Sequence, residues 1–218
     1  MGNLFNINSS FYQALTKIGN LVILNLLFLF CSLPVFTIGA SCTALYTVTL
    51  KMENDQENYI VRDFFHAFKK NFKQSTIIWL LLLLLAIVLL VDVNLCNALA
   101  GPGIIVLAVL IRIFMLIWIM VFTYVFPVLA KFHNTTKATL KNAFVMSGVH
   151  LFTTVITVGL NCLPFAFLYF SEKNLIYIIG IYTGIGFAGI AYLNSTLLNR
   201  VFQKYLDDTD AEESSWEL

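Results

Sequence analysis

Hydrophobic positions in this chain form long runs, and the charged positions are confined to short stretches between them. The clearest run begins at Ser75 and contains no charged residue before Asp92. An apolar stretch of about 18 residues or more is long enough to cross a bilayer and is too long for an ordinary soluble core helix. The pattern therefore predicts a transmembrane helix over residues 75–97.

Other runs in the chain have the same character. They predict transmembrane helices near residues 14–34, 103–128, 143–170 and 175–198. The Gly-Pro-Gly turn at residues 101–103 separates two of them. The sequence thus predicts an all-α, polytopic transmembrane helical bundle of about five spans, forming a single domain over residues 1–206. The acidic residues 207–218 are expected to form a disordered tail.

The segment after the first run allows two interpretations. Pro34 ends or kinks the first helix because proline has no amide hydrogen to donate. Residues 37–50 that follow are rich in small and hydroxyl side chains and are too few for an independent span. We interpret them as a short interfacial or partly re-entrant helix. A hairpin with the first span is the alternative, and it would move the N-terminus to the other side of the membrane.

The composition agrees with a lipid environment. Hydrophobic residues make up 59% of the chain, charged residues make up 11%, and the mean hydropathy is +0.84. A soluble domain carries about 25% charged residues, so this chain has too little polar surface to face water. The net charge of +1 excludes a large basic face of the kind that binds nucleic acid. The lipid bilayer is therefore the first expected partner.

Basic residues predict the orientation. The segments after residues 50, 130 and 199 contain five, three and two Lys or Arg residues, whereas the opposite turns contain none and one. Because cytoplasmic loops retain basic residues, these segments are expected in the cytoplasm together with the C-terminus. The predicted location is the cell membrane, and the side of the N-terminus depends on how residues 37–50 fold.

Asp92 and Arg112 flank the turn at residues 101–103 and are predicted to form an intramembrane ion pair. Charges within a membrane are costly and tend to pair or to mark a pathway. The Cα atoms of the two residues differ in depth by roughly 6 Å, and the Arg112 side chain leans toward the turn. The pair would serve either as a structural clamp between two helices or as part of a polar substrate cavity.

A cytoplasmic amphipathic segment over residues 60–73 combines aromatic and basic side chains. Its members are Phe64, Phe65, Phe68 and Phe72, with Arg62, Lys69, Lys70 and Lys73 at the borders. A basic amphipathic helix of this kind lies in the headgroup layer and is attracted to anionic lipid. It is expected to be either an interfacial anchor or a docking surface for a cytoplasmic partner.

Small and amide side chains occur within the predicted spans. Gly180, Gly184 and Gly189 form a ridge that permits close helix packing, either within the bundle or between copies in a homo-oligomer. Intramembrane amides could line a polar pocket or join helices by hydrogen bonds; they are Asn20, Asn25, Asn94 and Asn161.

Motifs for catalysis and for metal or cofactor binding are missing from the sequence. No second intramembrane carboxylate joins Asp92 for acid–base chemistry, and there is no glycine-rich phosphate loop or nucleophile motif. The cysteines at 31, 42, 96 and 162 and the three histidines lack ligand spacing. We therefore expect no enzymatic activity, no cofactor and no metal.

Several stretches resemble the YesL family of bacterial membrane proteins, a domain of unknown function. They are residues 34–46, residues 62–74, residues 126–132 and residues 140–144, and the resemblance extends over nearly the whole chain except the acidic tail. Members of that family are often encoded beside carbohydrate ABC-transporter components. The resemblance implies a non-enzymatic accessory or regulatory component of carbohydrate uptake, with ABC-transporter components as partners. A small-solute transporter in its own right is the alternative.

Overall fold

The computed structural model describes residues 10–54, 59–99, 101–132, 134–170 and 175–215, and the regular structure in these ranges is entirely helical. The helices are α1 (Ser10–Ser32), α2 (Ile38–Glu53), α3 (Ile60–Ala98), α4 (Pro102–Lys131), α5 (Thr136–Val149), α6 (Leu151–Phe170), α7 (Leu175–Ile181) and α8 (Phe187–Ser215). A 3-10 turn (Val35–Thr37) precedes α2, and a π-helix (Tyr182–Gly186) joins α7 to α8.

Five helical stretches are long and apolar enough to cross a membrane. They are Gln13–Ser32, Val35–Glu53, Ile60–Ala98, Gly103–Lys131 and Ile179–Leu206. The bent pair of α5 and α6 supplies a sixth candidate if it is counted as one span. The prediction of an all-α bundle with about five long apolar helices is confirmed, and the chain is a multi-pass membrane protein.

The third helix is much longer than the hydrocarbon core of a bilayer. Its 39 residues extend about 58 Å at the rise of an α-helix, whereas the hydrocarbon core is about 30 Å thick. The amphipathic segment 60–73 is therefore not a separate element but the N-terminal third of α3. Neither Pro nor Gly occurs between Ile60 and Ala98, so nothing in the sequence interrupts the helix.

The short helix α2 lies in the middle of the bundle, and together with the 3-10 turn before it the segment Val35–Glu53 is long and apolar enough to cross a membrane. It packs against α1, α3, α4 and α8, and most of its residues are buried. Its small and hydroxyl side chains let neighbouring helices come close. At Gly39 a Cβ atom would lie 2.6 Å from the Ser75 carbonyl oxygen and 2.6 Å from Trp79 Cβ, so α2 and α3 touch backbone to backbone.

The contacts of α1 and α2 with the last helix follow chain order. In α1, Asn25 bonds to the backbone at residues 182, 183 and 188, whereas Tyr46 of α2 and Asn54 directly after α2 bond to residues 194 and 199. Asn25 thus contacts an earlier part of the C-terminal helical region than Tyr46 does. Because α1 and the segment Val35–Glu53 are each long and apolar enough to cross a membrane, the hairpin alternative stays open.

The span predicted over residues 143–170 is broken in the structure. The axes of α5 and α6 meet at an angle of 105°, with His150 between the helices. The Thr154 hydroxyl lies 2.8 Å from the Ser147 carbonyl oxygen and 3.0 Å from that of His150. The Thr154 hydroxyl thus links the last turn of α5 to the first turn of α6 across the break, which sequence periodicity could not indicate.

The acidic tail is partly helical. Helix α8 continues through Ser215, and residues 216–218 lie outside the described residues. The disorder expected for residues 207–218 stays a prediction. Extending a helix that is already formed requires no new nucleation, which is the costly step.

Candidate functional site

A row of polar side chains joins α2 to α8, and we call it the polar seam. Its members are Tyr46, Thr49 and Glu53 on α2, Asn54 directly after α2, Asn194, Ser195, Thr196 and Asn199 on α8, and Asn161 on α6. All of them carry a hydroxyl, amide or carboxyl group that bonds across a helix interface. Apolar packing alone gives little specificity between helices in lipid, so such bonds determine which faces meet.

One end of the polar seam lies at the C-terminus of α2. The Thr49 and Ser195 hydroxyl oxygens are 2.7 Å apart, and the Thr196 hydroxyl donates to Glu53 Oε2 at 2.8 Å. Nearby, the Asn199 amide donates to Asn54 Oδ1 at 2.9 Å. These bonds fix the axial register of α2 against α8.

Three helices meet at Asn194, which is fully buried. Its Nδ2 atom donates to Asn161 Oδ1 at 2.9 Å and to the Tyr46 hydroxyl at 3.3 Å. Its Oδ1 atom is buried and accepts no hydrogen bond from the described residues. Amide and phenol groups of this kind can bind a polar ligand, but they are not an acid–base pair.

Asn25 of α1 binds the backbone of the π-helix. Its Nδ2 atom donates to the Tyr182 and Thr183 carbonyl oxygens at 3.0 and 2.7 Å, and its Oδ1 atom accepts from the Ala188 amide at 3.0 Å. A π-turn interrupts the regular i to i−4 pattern and leaves such groups without their usual partners. Asn25 and Asn161 therefore join helices by hydrogen bonds, as the sequence allowed. Asn94 instead bonds to the Leu90 carbonyl oxygen in its own helix.

The predicted aromatic docking face of α3 is divided between the core and the surface. Phe64 is fully buried, Phe68 packs on the core, and rings 64, 68 and 72 follow one another at centroid distances of 6.3 and 5.4 Å. Of the four phenylalanines, only Phe65 is exposed (37%). It lies on the same outward side as the exposed residues Arg62, Lys69, Lys70 and Lys73. The buried part of the aromatic face thus holds α3 in the bundle, and the outward face is mainly basic.

The same end of α3 is held in place by polar contacts. Lys51 Nζ lies 3.1 Å from Asp63 Oδ2, which joins the end of α2 to the beginning of α3. Gln74 Nε2 donates to the Asn134 carbonyl oxygen at 2.8 Å, which joins α3 to the segment after α4. These contacts fix the position of the helix that carries the basic surface.

The predicted ion pair between Asp92 and Arg112 is not formed in the structure, although both residues are described. Arg112 Nη2 instead donates to Asn97 Oδ1 at 3.2 Å. Asn97 lies five residues beyond Asp92, about 7.5 Å closer to the turn. The long Arg112 side chain leans toward the N-terminus of α4 and so extends past the level of Asp92.

The predicted glycine ridge has no close neighbour within the described part of the chain. A Cβ atom at Gly180, Gly184 or Gly189 would meet no heavy atom within 4 Å outside its own helix backbone. Close packing within the bundle occurs instead at Gly39, which is followed by other small residues of α2. The possibility that the ridge joins two copies of the chain stays a prediction.

Four grooves at the surface have volumes between about 250 and 530 Å³. The largest, between α4 and α6, is almost entirely apolar and has Arg112 at one end. The other three lie around α5 and the C-terminal part of α8. No residue of the polar seam lines any of these grooves, so the seam is packed between helices and does not border them.

Among the described residues, no group of three or more His, Cys, Asp or Glu side chains is placed to hold a metal ion. The four cysteines are free thiols. The sites that the structure does bring together consist of amides, hydroxyls and a basic surface.

Sequence reasoning missed most of the polar seam. The consecutive residues Asn194, Ser195 and Thr196, with Asn199 one turn later, are an unusual polar cluster for a membrane span. Polar residues within a span normally face the bundle interior, so this cluster could have been predicted as an interior contact. Its partners on α2 lie about 145 residues away and could not have been named.

Comparison with known proteins gives one match. The family model described as "Protein of unknown function, DUF624" matches residues 21–93, about a third of the chain. The matched segment runs from α1 through α2 and nearly to the end of α3, and it agrees with the expectation of a domain of unknown function. No curated protein and no solved structure matches the sequence.

Proposed function

We propose that this protein is a non-enzymatic accessory or regulatory component of a carbohydrate ABC-type uptake system in the bacterial cell membrane. The link to carbohydrate uptake comes from the resemblance to the YesL family. The family match to residues 21–93 is compatible with that kinship but adds no activity.

The observation that carries this proposal is the construction of the N-terminal third of α3. One side of this segment is locked into the core by Phe64 and by the Lys51–Asp63 ion pair. The other side presents Arg62, Lys69 and Lys73 beside Phe65, at the end of a helix too long to be covered by the bilayer. A rigid, charged surface outside the membrane is suited to contact another protein.

The proposed orientation places this surface in the cytoplasm. Most Lys and Arg residues lie at the end of the bundle that also contains the start of α3, the end of α4 and the C-terminal part of α8. Retention of basic residues on the cytoplasmic side supports a cytoplasmic C-terminus. An ATPase subunit would be accessible to the basic surface of α3 from that side.

A transporter in its own right is the second candidate, and the Asn194 cluster is the observation in its favour. A buried amide oxygen without a donor, beside Asn161 and Tyr46, is a position where a hydroxylated solute could bind. The residues of the polar seam bond to one another and line none of the four grooves. A solute could therefore reach Asn194 only if the helices moved apart.

Affinity purification from native membranes tests the leading proposal. We expect an ABC-transporter ATPase or solute-binding protein to copurify with the wild-type chain and with the control variant K137Q/K141Q, which removes two exposed charges from α5. Copurification should be lost in K69Q/K73Q, which removes two charges from the basic surface of α3. Absence of any ABC component from the wild-type sample would contradict the proposal. Sugar uptake by vesicles containing only the purified protein would support the transporter instead.

A further inference from the structure

We propose that the groove between α6 and α8 binds the phosphate headgroup of an anionic phospholipid. The groove has a volume of about 250 Å³. Its polar lining consists of His150, Thr153, Arg200 and Lys204, and its apolar lining consists of Phe152, Ile156, Leu197 and Val201.

The polar lining has a uniform sign of charge. Arg200 and Lys204 are one helical turn apart on α8, both are exposed, and neither forms an ion pair with a described residue. No carboxylate lines the groove. The guanidinium and ammonium groups, with the Thr153 hydroxyl opposite, form a complementary environment for a phosphate.

The apolar lining indicates that the anion is attached to a lipid. Phe152 is 82% exposed and Val155, three residues further along α6, is 70% exposed. Such exposure of large apolar side chains is costly in water and is normal in hydrocarbon, so this face of α6 meets acyl chains. The groove therefore lies at the boundary where an acyl chain can pack on Phe152 and Ile156 while its headgroup meets the cations.

The position of the groove in the fold supports the same occupant. His150 lies at the bend between α5 and α6, and its Nε2 atom is 3.4 Å from the Tyr205 hydroxyl. Arg200 and Lys204 follow the last apolar run of the chain. Basic residues just beyond a span, between two helices, are where anionic headgroups bind to membrane proteins.

Native mass spectrometry of the full chain purified in detergent tests this proposal. The protein is incubated with phosphatidylglycerol, with phosphatidylcholine or with inorganic phosphate, and the bound fraction is measured. The variant R200Q/K204Q is compared with K69Q/K73Q, which loses the same charge from α3. Unfolding midpoints of all proteins are measured in the same detergent, and R200E/K204E serves as a second variant.

Phosphatidylglycerol should bind the wild-type protein and K69Q/K73Q equally, and its affinity should fall roughly 30-fold in R200Q/K204Q, because each basic residue at an anionic surface contributes about fivefold. R200E/K204E should bind still less, at an unchanged unfolding midpoint. Equal binding in all variants, or equal binding of phosphatidylcholine, would overturn the proposal. Inorganic phosphate that displaces the lipid completely at millimolar concentration would instead identify a soluble anion as the occupant.

Discussion

At the scale of single residues, Asn25 and Phe64 show how much one side chain can determine in this bundle. Asn25 makes two hydrogen bonds to the backbone of the π-helix and a third to Ala188 at the start of α8, all more than 150 residues away in the chain. It allows a non-standard turn to lie in an apolar environment, where unsatisfied backbone groups are costly. Phe64 is fully buried, and its ring fixes the N-terminal part of α3 in the core.

Asn25→Leu should destabilise the protein by about 1–3 kcal/mol, because buried backbone donors and acceptors lose their partners. The free energy of unfolding can be measured by denaturation in mixed detergent micelles. Asn94→Leu is the matched control, since Asn94 is exposed and bonds only to its own helix, and it should change stability by about 0.5 kcal/mol or less. Equal losses in the two variants would show that the π-helix does not depend on Asn25.

Phe64→Ala should cost about 3–5 kcal/mol, the usual range for removing a buried aromatic ring. Phe65→Ala, at the adjacent and partly exposed position, should cost far less in the same unfolding assay. A larger loss at Phe65 than at Phe64 would mean that α3 is rotated relative to the structure described above.

At the scale of elements, the contact between α2 and α3 organises the N-terminal half of the molecule. It is the most extensive helix pair in the described residues, and it includes the Thr43–Ser75 hydroxyl contact at 2.9 Å. The Trp79 indole also donates to the Val35 carbonyl oxygen at 2.8 Å, at the turn between α1 and α2. The pair depends on the absence of a side chain at Gly39.

Gly39→Ala should destabilise the protein by about 1–3 kcal/mol, because the new methyl group would overlap the α3 backbone at Ser75 and the Cβ atom of Trp79. Gly189→Ala is the control: its methyl group meets no neighbour, and alanine favours a helix over glycine, so stability should be unchanged or slightly higher. Unfolding in mixed micelles measures both. A tolerated Gly39→Ala would refute the close approach of α2 and α3.

At the scale of the whole molecule, the course of α1 and α2 decides the topology. The helix α3, the helix α4, the α5–α6 pair and the segment from α7 into α8 can supply one crossing each, and α1 and α2 add either one crossing or, as a hairpin, two. The five spans predicted from the sequence correspond to the first case, with an odd number of crossings. The N- and C-termini should then lie on opposite sides of the membrane.

Labelling of single cysteines introduced into a cysteine-free variant tests this topology. A membrane-impermeant maleimide should modify Asn3→Cys in intact cells and Gln203→Cys only after permeabilisation, since basic residues favour a cytoplasmic C-terminus. Labelling of both positions under the same condition would place both termini on one side of the membrane and support the hairpin interpretation of residues 37–50.

The sequence by itself determined the solvent and the secondary structure of this protein. Runs such as residues 75–97 have to be helical and surrounded by lipid or protein, because hydrocarbon offers no partner for backbone groups and every such group must bond within the helix. These constraints act locally, over the length of one run, so they can be read without knowing which helices are neighbours.

Only the tertiary structure decided which faces meet. The partner of Arg112, the burial of Phe64 rather than Phe65, the break at His150 and the central place of α2 all depend on contacts between distant parts of the chain. In lipid, apolar helix surfaces are nearly equivalent, and a few small or polar side chains select among them. Asn25, Gly39 and Asn194 make that selection here. The polar cluster around Asn194 indicates an interior contact in the sequence, but the sequence does not name the partners of any of these three residues.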